Sequence, residues 1–194
     1  MNAVVGPDGR ARCPWGLSAV EYVAYHDDEW GRPLRGDTEL YERLSLEAFQ
    51  SGLSWLTILR KRDGFRRAFA GFDPAAVAAF DESDVRRLLA DTAIVRNRAK
   101  IDATIRNARA VLDLGMSLDE LMWSFAPPAG RPRPSTVEEV PATTAESVAM
   151  ARELKRRGFA FVGPTTCYAT MQAVGIVDDH IAGCWRAAGN LTAR

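Results

Sequence analysis

The chain has 194 residues, of which 25 are Lys or Arg and 25 are Asp or Glu, so its formal net charge is zero. With 47% apolar and 26% charged residues, the composition is that of a globular protein and excludes a globally disordered chain. No apolar run approaches the ~20 residues that span a bilayer, residues 1–11 lack the apolar stretch of a signal peptide, and three cysteines make no disulfide framework. We therefore expect a cytoplasmic protein that does not bind membranes. A zero net charge also argues, at first, against a nucleic-acid binder.

Helical periodicity recurs along most of the chain and strand signals are sparse, so the sequence predicts an all-α fold. Two of the helices are expected to open on capping boxes at Ser117 and Thr143. The predicted helices span residues 38–50, 55–62, 74–80, 82–90, 97–112, 117–125, 143–157 and 164–174.

One long stretch, residues 126–141, holds half of the ten prolines and cannot be helical. We interpret it as a surface loop inside a single domain of residues 12–187, because neither side alone could build a core. Residues 1–11 are expected to be a disordered tail and residues 188–194 a flexible one. We expect a monomer.

The two histidines of the chain each pair with a cysteine. His180 and Cys184 stand four residues apart, and Cys13 and His26 form a matching pair near the other end. Two cysteines and two histidines suit a closed, four-coordinate structural zinc site that would join the chain ends. The alternative is that all four are ordinary buried side chains, and spacing alone favours that alternative because the pairs are ~150 residues apart.

Seven of the 17 aromatic residues lie between positions 13 and 55, where they form either a core cluster or a pocket in which a flat base stacks. Glu47 follows Leu40 and Leu44 on one helical stripe. A carboxylate on an apolar stripe is costly to bury unless it is paired or needed, so Glu47 is either an exposed edge residue or a ligand of an exocyclic amine.

Residues 158–166 form a glycine-bounded turn between two predicted helices. The first turn of the second helix would present free backbone N–H groups to an anion such as phosphate. A simple helical hairpin is the alternative reading.

Taken together, these features resemble those of the DNA-3-methyladenine glycosylase I family, within the helix–hairpin–helix glycosylase superfamily. The resemblance covers roughly residues 12–185. The matching segments are R-C-P-W (12–15), Y-V-A-Y-H-D-D-E-W-G (22–31), L-E-A-F-Q-S-G-L-S-W (46–55), R-N-R-A-K-I (96–101), G-F-A-F-V-G-P-T-T-C-Y (158–168) and M-Q-A-V-G-I-V-D-D-H-I-A-G-C (171–184).

The resemblance implies a base-excision repair enzyme that flips 3-methyladenine out of alkylated double-stranded DNA and releases it by hydrolysis, without lyase activity. It implies a structural zinc ion, with Cys13, His26, His180 and Cys184 at the ligand positions. Glu47 matches the base-contacting and catalytic carboxylate, and the base-pocket aromatics match Tyr22, Tyr25 and Trp55.

Within the 158–166 hairpin, the resemblance assigns DNA contacts to Gly163 and Thr165, and Leu53 is the candidate wedge for the gap left by the flipped base. The hairpin lacks the usual L-P-G-V-G form, and no aspartate stands where the superfamily keeps its catalytic one. Asp178 and Asp179 directly precede His180, so we expect one of them to support that histidine.

A missing catalytic aspartate suits the implied substrate, because methylation at N3 makes adenine a cationic leaving group that needs no protonation. Two alternatives remain: a non-enzymatic, zinc-joined helical module that binds DNA or protein, and a glycosylase with a broader alkylpurine range. The second is disfavoured because neutral lesions generally require the missing aspartate.

The zero net charge is an average over unlike segments. Residues 1–59 hold 5 basic and 9 acidic side chains, residues 60–110 hold 12 and 7, and residues 111–194 hold 8 and 9. The basic middle third includes Arg96, Arg98 and Lys100, for which we predict DNA phosphate contacts, although a solvated charged face is the usual alternative.

Overall fold

The computed structural model describes residues 1–187, and within them the fold is mostly helical. The short strands β1 (Val4–Val5) and β2 (Ala11–Arg12) pair antiparallel. The α-helices are α1 (Val20–Asp28), α2 (Asp37–Gln50), α3 (Trp55–Ala68), α4 (Pro74–Ala78), α5 (Glu82–Ala90), α6 (Arg98–Leu112), α7 (Leu118–Trp123), α8 (Ala145–Arg156) and α9 (Pro164–Ala173). Predicted flexible residues 188–194 lie outside the described part of the chain.

Helix α2 is the centre of the core and packs against α3, α6, α7 and α9. Its Leu40, Leu44 and Phe49 are fully buried, as the apolar stripe predicts. Phe49 begins a line of contacting rings that continues through Phe65 and Phe69, at centroid separations of 4.6 and 6.3 Å. This buried line fixes α3 on α2, and the end of one helix and the start of the other frame the functional site.

Side-chain caps set several helix starts. Ser54 caps α3, Asn97 caps α6, and Ser117 forms the predicted capping box of α7 with Glu120. For α8 the cap is Thr144 rather than the predicted Thr143, because the Thr144 hydroxyl accepts from the Ser147 N–H while the Ser147 hydroxyl accepts from the Thr144 N–H.

Two elements differ from the sequence-based expectation. Helix α1 was not predicted, because its side chains turn towards functional clusters and leave no clear apolar stripe. Residues 1–11, expected as a disordered tail, contain β1 and a turn whose Asp8 holds the buried Arg12 through two hydrogen bonds of 2.6 and 2.7 Å. The second carboxylate partner of Arg12 is Asp27, and this contact anchors the β1–β2 hairpin to α1.

The irregular 126–141 loop contains only a short 3₁₀ turn, Val137–Glu139, and it is tied down along its length. Arg131 forms an ion pair with Asp179 and Arg133 with Asp178, while the Pro134 carbonyl accepts from the Ala182 N–H at 2.7 Å. The loop therefore lies against the segment that follows α9. Within residues 1–187, no helix has the length and apolarity needed to cross a membrane.

Candidate functional site

Four buried side chains bring the two ends of the described chain together. Cys13, His26, His180 and Cys184 each offer one ligand atom, and these atoms all lie within 4.8 Å of one another. The Cys184 Sγ atom is 3.4 Å from His26 Nε2 and 3.6 Å from His180 Nδ1, and Cys13 Sγ is 3.8 Å from His180 Nδ1. The four residues predicted from the sequence thus form one cluster.

The separations suit a tetrahedral ion. Metal–ligand distances of ~2.0–2.3 Å give ligand–ligand edges of roughly 3.3–3.8 Å, which match the sulfur–nitrogen distances observed. Hydrogen bonds from Cys13, His180 and His26 lower the pKa of the Cys184 thiol, whereas the hydrogen bond to Cys184 and burial raise the pKa of the Cys13 thiol. Cys184 is therefore the thiol that more readily gives the thiolate that a metal requires. The donor set therefore fits Zn²⁺ in chemistry and in size.

The two imidazoles are oriented by different neighbours. His26 Nδ1 donates to the Asp27 carboxylate at 2.8 Å, and Asp27 in turn accepts from Arg12 and from the Trp185 indole. His180 Nε2 lies 3.1 Å from the Trp30 carbonyl oxygen. Asp27 is a supporting residue that the sequence analysis missed, although its position next to His26 was a usable signal.

Asp178 supports His180 as expected, but through the backbone and not through the ring. It accepts from the backbone N–H of His180 at 3.1 Å, and its carboxylate pairs with Arg133. Asp179 accepts from the Tyr168 hydroxyl and from the Gln172 amide. The ring nitrogen Nε2 of His180 faces the Trp30 carbonyl instead of a carboxylate.

Gly16 lets the chain pass close to the cluster. It lies in a 3₁₀ turn, Pro14–Leu17, and a Cβ atom at this position would meet the His26 ring at 2.8 Å. Because Gly16 has no side chain, the turn that follows Cys13 can pack directly against the His26 ring of α1.

A cavity of about 330 Å³ lies beside the Cys13, His26, His180 and Cys184 cluster. Five aromatic side chains from α1, α3 and the segments near them contribute to its wall, and the 126–141 loop adds two valines. The lining residues are Cys13, Trp15, Tyr22, Tyr25, Trp30, Glu47, Gln50, Trp55, Val137, Val140, Ala169, Gln172, Asp179 and Ile181.

The predicted aromatic residues Tyr22, Tyr25 and Trp55 all reach this cavity. The Tyr25 and Trp55 rings are 5.4 Å apart and tilted by 43°, and Trp15 meets Tyr22 edge-on at 5.7 Å. The Trp55 indole N–H is buried without a hydrogen-bond partner among residues 1–187. A flat, hydrogen-bonding ligand would both stack in such a cavity and satisfy that donor.

Glu47 projects from α2 into the same cavity and is buried, with 6% of its surface exposed. Burial raises its pKa to about 7, although the nearby Arg43 acts in the opposite direction. In the described part of the chain its carboxylate has no hydrogen-bond or ion-pair partner. A buried carboxylate held in this way can accept hydrogen bonds from a ligand and favours a cationic one.

Arg43, four residues before Glu47 on α2, is a second residue that the sequence analysis missed. Its side chain is 8% exposed and donates to the Tyr25 hydroxyl at 3.1 Å and to Glu29 at 3.3 Å. The Glu29 carboxylate also accepts hydrogen bonds from both terminal nitrogens of Arg62. The i, i+4 spacing of Arg43 and Glu47 was the available signal.

The 158–163 turn before α9 is held from α6. Asn107 both donates to the Ala160 carbonyl at 3.0 Å and accepts from the Ala160 N–H at 2.7 Å. Gly163 is the N-cap residue of α9 and supplies no side-chain cap, while Thr165 is exposed in the first turn. The two predicted hairpin residues therefore stand at an uncapped helix start.

The other residues predicted to contact DNA differ in their exposure to solvent. Arg96 is exposed, and Leu53 is 43% exposed in the turn between α2 and α3. Arg98 is exposed but pairs with Glu82 and Asp102. Lys100 is buried.

The burial of Lys100 corrects the prediction that it contacts phosphate. Its Nζ atom donates to the Phe49 carbonyl at 2.8 Å and to the Ser51 carbonyl at 2.5 Å. An ammonium with two backbone acceptors and 8% exposure stabilises the turn that follows Glu47 instead of facing solvent.

A helical fold that sets an aromatic, carboxylate-bearing cavity against α9, whose start is uncapped, is the architecture of a helical DNA glycosylase. The family model for methyladenine glycosylase matches residues 15–187. The chain belongs to this family of enzymes.

Individual relatives agree over nearly the whole chain. DNA-3-methyladenine glycosylase 1 of Escherichia coli (strain K12) is 45% identical over 183 residues, which are 92% of this chain and 98% of that protein. A crystal structure of 3-methyladenine DNA glycosylase I is 46% identical, covers 90% of this chain and 98% of its own, and gives a TM-score of 0.85. A Tyr-to-Phe variant of 3-methyladenine DNA glycosylase I in complex with 3-methyladenine is 31% identical, covers 89% and 95%, and gives a TM-score of 0.83.

Proposed function

We propose that this chain flips 3-methyladenine out of alkylated double-stranded DNA and hydrolyses its N-glycosidic bond, leaving an abasic site and the free base. The observation that carries the proposal is the Glu47 carboxylate, buried in an aromatic cavity with no partner among the described residues. Such a group is costly unless a ligand completes it. The relatives named for this reaction support the same substrate.

Recognition rests on charge and shape. Methylation at N3 makes the base cationic, and a cation is attracted both by the Glu47 carboxylate and by the faces of Tyr25 and Trp55. Glu47 accepts a hydrogen bond from the exocyclic N6 amine of the flipped base. Normal adenine lacks the positive charge, so it gains much less from entering a cavity that contains the Glu47 carboxylate.

Hydrolysis needs little help with the leaving group, because the cationic base departs as a neutral molecule. The enzyme extrudes the nucleotide, at a cost of a few kcal/mol, and admits water to the sugar carbon. Glu47 stabilises the positive charge on the base, and the attacking water is held either by Glu47 or by a DNA phosphate. Among the described cavity-lining residues none is a lysine, and Lys100 is committed to two carbonyls. We propose that the reaction ends at hydrolysis, without a lyase step.

The Cys13, His26, His180 and Cys184 set would hold one structural zinc ion. A bound ion contributes folding free energy there, and four protein ligands leave no position for a reacting water. The ligands themselves join the segment before α1 to the segment after α9, and this closes one side of the cavity at Cys13 and Ile181.

DNA is handled by the surface around the cavity. Backbone N–H groups at Gly163 and Thr165 receive a phosphate at the start of α9, and Arg96 adds a sequence-independent charge. Arg98 can also contact a phosphate once its ion pair with Glu82 is broken. Leu53 fills the gap left in the duplex by the flipped nucleotide. The chain acts as a monomer.

The decisive experiment replaces Glu47 with Gln and follows 3-methyladenine release from alkylated DNA under single-turnover conditions. We expect release to fall by at least tenfold while circular dichroism and thermal unfolding show a folded protein. Glu39→Gln, on the exposed side of the same helix, is the matched control and should release the base at the wild-type rate. Unchanged release by Glu47→Gln would reject the proposal.

Free 3-methyladenine separates the enzyme from a DNA-binding module without catalysis. Tryptophan fluorescence should be quenched when the free base enters the cavity, because Trp15, Trp30 and Trp55 line it. DNA binding with no quenching and no base release would favour the non-enzymatic module. For the metal centre, the purified protein should contain about one zinc per chain, and Cys184→Ser should lower that content.

A further inference from the structure

Arg43 lies behind the cavity wall and not in it. Its guanidinium carbon is 5.5 Å from the centroid of the Tyr25 ring and 5.9 Å from that of Trp55, and one of its nitrogens donates to the Tyr25 hydroxyl. The two rings that face the base from α1 and α3 therefore rest on one guanidinium from α2. A planar, five-donor group suits this place because it can stack and donate at once.

Arg43 also lies between two carboxylates. Glu29 accepts from it on one side, at 3.3 Å, and Glu47 follows one helical turn later on the other. Glu29 is itself held by both terminal nitrogens of Arg62. The result is an alternating row of charges, Arg62, Glu29, Arg43 and Glu47, whose last member faces the cavity.

We propose that Arg43 is a positioning residue for base recognition: its guanidinium fixes the Tyr25 and Trp55 rings and supplies the countercharge that lets the Glu47 carboxylate meet a cationic base. This inference rests on the proposed function. Arg43 does not touch the base. It acts through the two aromatic side chains and through the electrostatic potential at Glu47.

The countercharge has a measurable direction. Burial raises the pKa of Glu47, and Arg43 opposes that rise because a nearby positive charge favours the ionised carboxylate. Other charged or titratable residues surround the same region and are left unmutated in the Arg43 variants. They are Cys13, Tyr22, Tyr25, Glu29, Arg62, Lys100 and Asp179.

The test is the pH profile of kcat/KM for 3-methyladenine release from alkylated DNA. The base in DNA is a fixed cation, so the acid limb of the profile reports the enzyme. In Arg43→Met we expect this limb to move up by about 1 pH unit, which lowers the rate at pH 7 about fivefold. Arg43→Lys keeps the charge and should return the limb close to its wild-type position, with a lower plateau because the fork on Tyr25 is lost.

Two further variants complete the test. Arg87→Met removes an exposed arginine of α5 that pairs with Asp84, and it should leave the profile unchanged. Glu29→Gln takes the competing carboxylate away from Arg43, so the acid limb should move to lower pH. This opposite shift decides the matter if Arg43→Met does not fold.

The outcomes are distinct for the two proposals. If Glu47→Gln abolishes release but the Arg43→Met profile superimposes on the wild type, Arg43 is only a structural residue and this inference is overturned. An acid limb that moves upward, or stays in place, in Glu29→Gln overturns it as well. If Glu47→Gln itself releases the base normally, the proposed function fails first.

Discussion

His26 donates through Nδ1 to the Asp27 carboxylate at 2.8 Å, while the opposite ring nitrogen of the same histidine faces the Cys184 sulfur at 3.4 Å. The carboxylate fixes which nitrogen is free to bind a metal, and it makes that nitrogen a stronger ligand. Asp27 therefore matters to the metal site although it is not itself one of the four candidate ligands.

Asp27→Asn should weaken Zn²⁺ binding by about 10- to 100-fold, the usual effect of losing a carboxylate behind a histidine ligand. Competition with a chromogenic chelator measures this directly. Asp28→Asn is the control, because the Asp28 side chain is 71% exposed and its contact is a surface ion pair with Arg32 at 3.8 Å. Equal zinc affinity in the two variants would show that the Asp27 contact does not support the ligand.

Glu47→Gln should stabilise the fold in a pH-dependent way. The pKa of Glu47 is about 7 in the folded protein, above its ordinary value of 4.5, so the protonated form is favoured by folding. Glu47 therefore costs the fold nothing below pH 4.5 and on the order of 3 kcal/mol once the pH has risen through 7. Urea unfolding should show no difference between variant and wild type at pH 4 and a more stable variant at pH 8. Glu39→Gln, being exposed, should show no such trend.

Lys100→Met should destabilise the protein without changing the salt dependence of DNA binding. The lysine satisfies the Phe49 and Ser51 carbonyls, and their loss costs roughly 1–3 kcal/mol. Arg96→Gln should do the reverse, with unchanged unfolding and a salt slope that is smaller by about 1. A smaller slope in Lys100→Met would restore Lys100 as a phosphate contact.

Asn107→Ala should loosen the 158–163 turn, because one side chain makes both hydrogen bonds to Ala160. We expect a loss of about 2 kcal/mol in stability and weaker binding of undamaged duplex DNA. Quenching by free 3-methyladenine should be retained, since Asn107 lies outside the cavity. If DNA affinity is unchanged, the turn is not part of the DNA surface.

The sequence predicted what depends on local pattern. Helices α2, α5 and α6 follow their apolar stripes and caps to within a residue or two, and the cap at Ser117 is as expected. Helix α1 could not be found in this way. Its Tyr25, His26 and Asp27 are buried because they line the cavity or belong to the surroundings of the Cys/His cluster. These polar residues replace the apolar side chains that would otherwise mark a helix in the sequence.

The site residues divide in the same manner. The four metal-ligand positions and the set around Glu47 emerged from residue types together with a family resemblance. Arg43 and Lys100 act through contacts that cross 14 to 51 positions of the chain, and neither a pattern nor a motif encodes such distances. A lysine in a basic segment looks like a phosphate ligand until the fold buries it.

Cys13 and Ile181 belong at once to the buried cluster around the metal ligands and to the wall of the base cavity. Two ligands that share a wall can be coupled, and any coupling between them is reciprocal. If the four-ligand set holds an ion and that ion strengthens base binding, base binding strengthens metal binding by the same factor. Substrate occupancy would in that case help the protein to retain its metal.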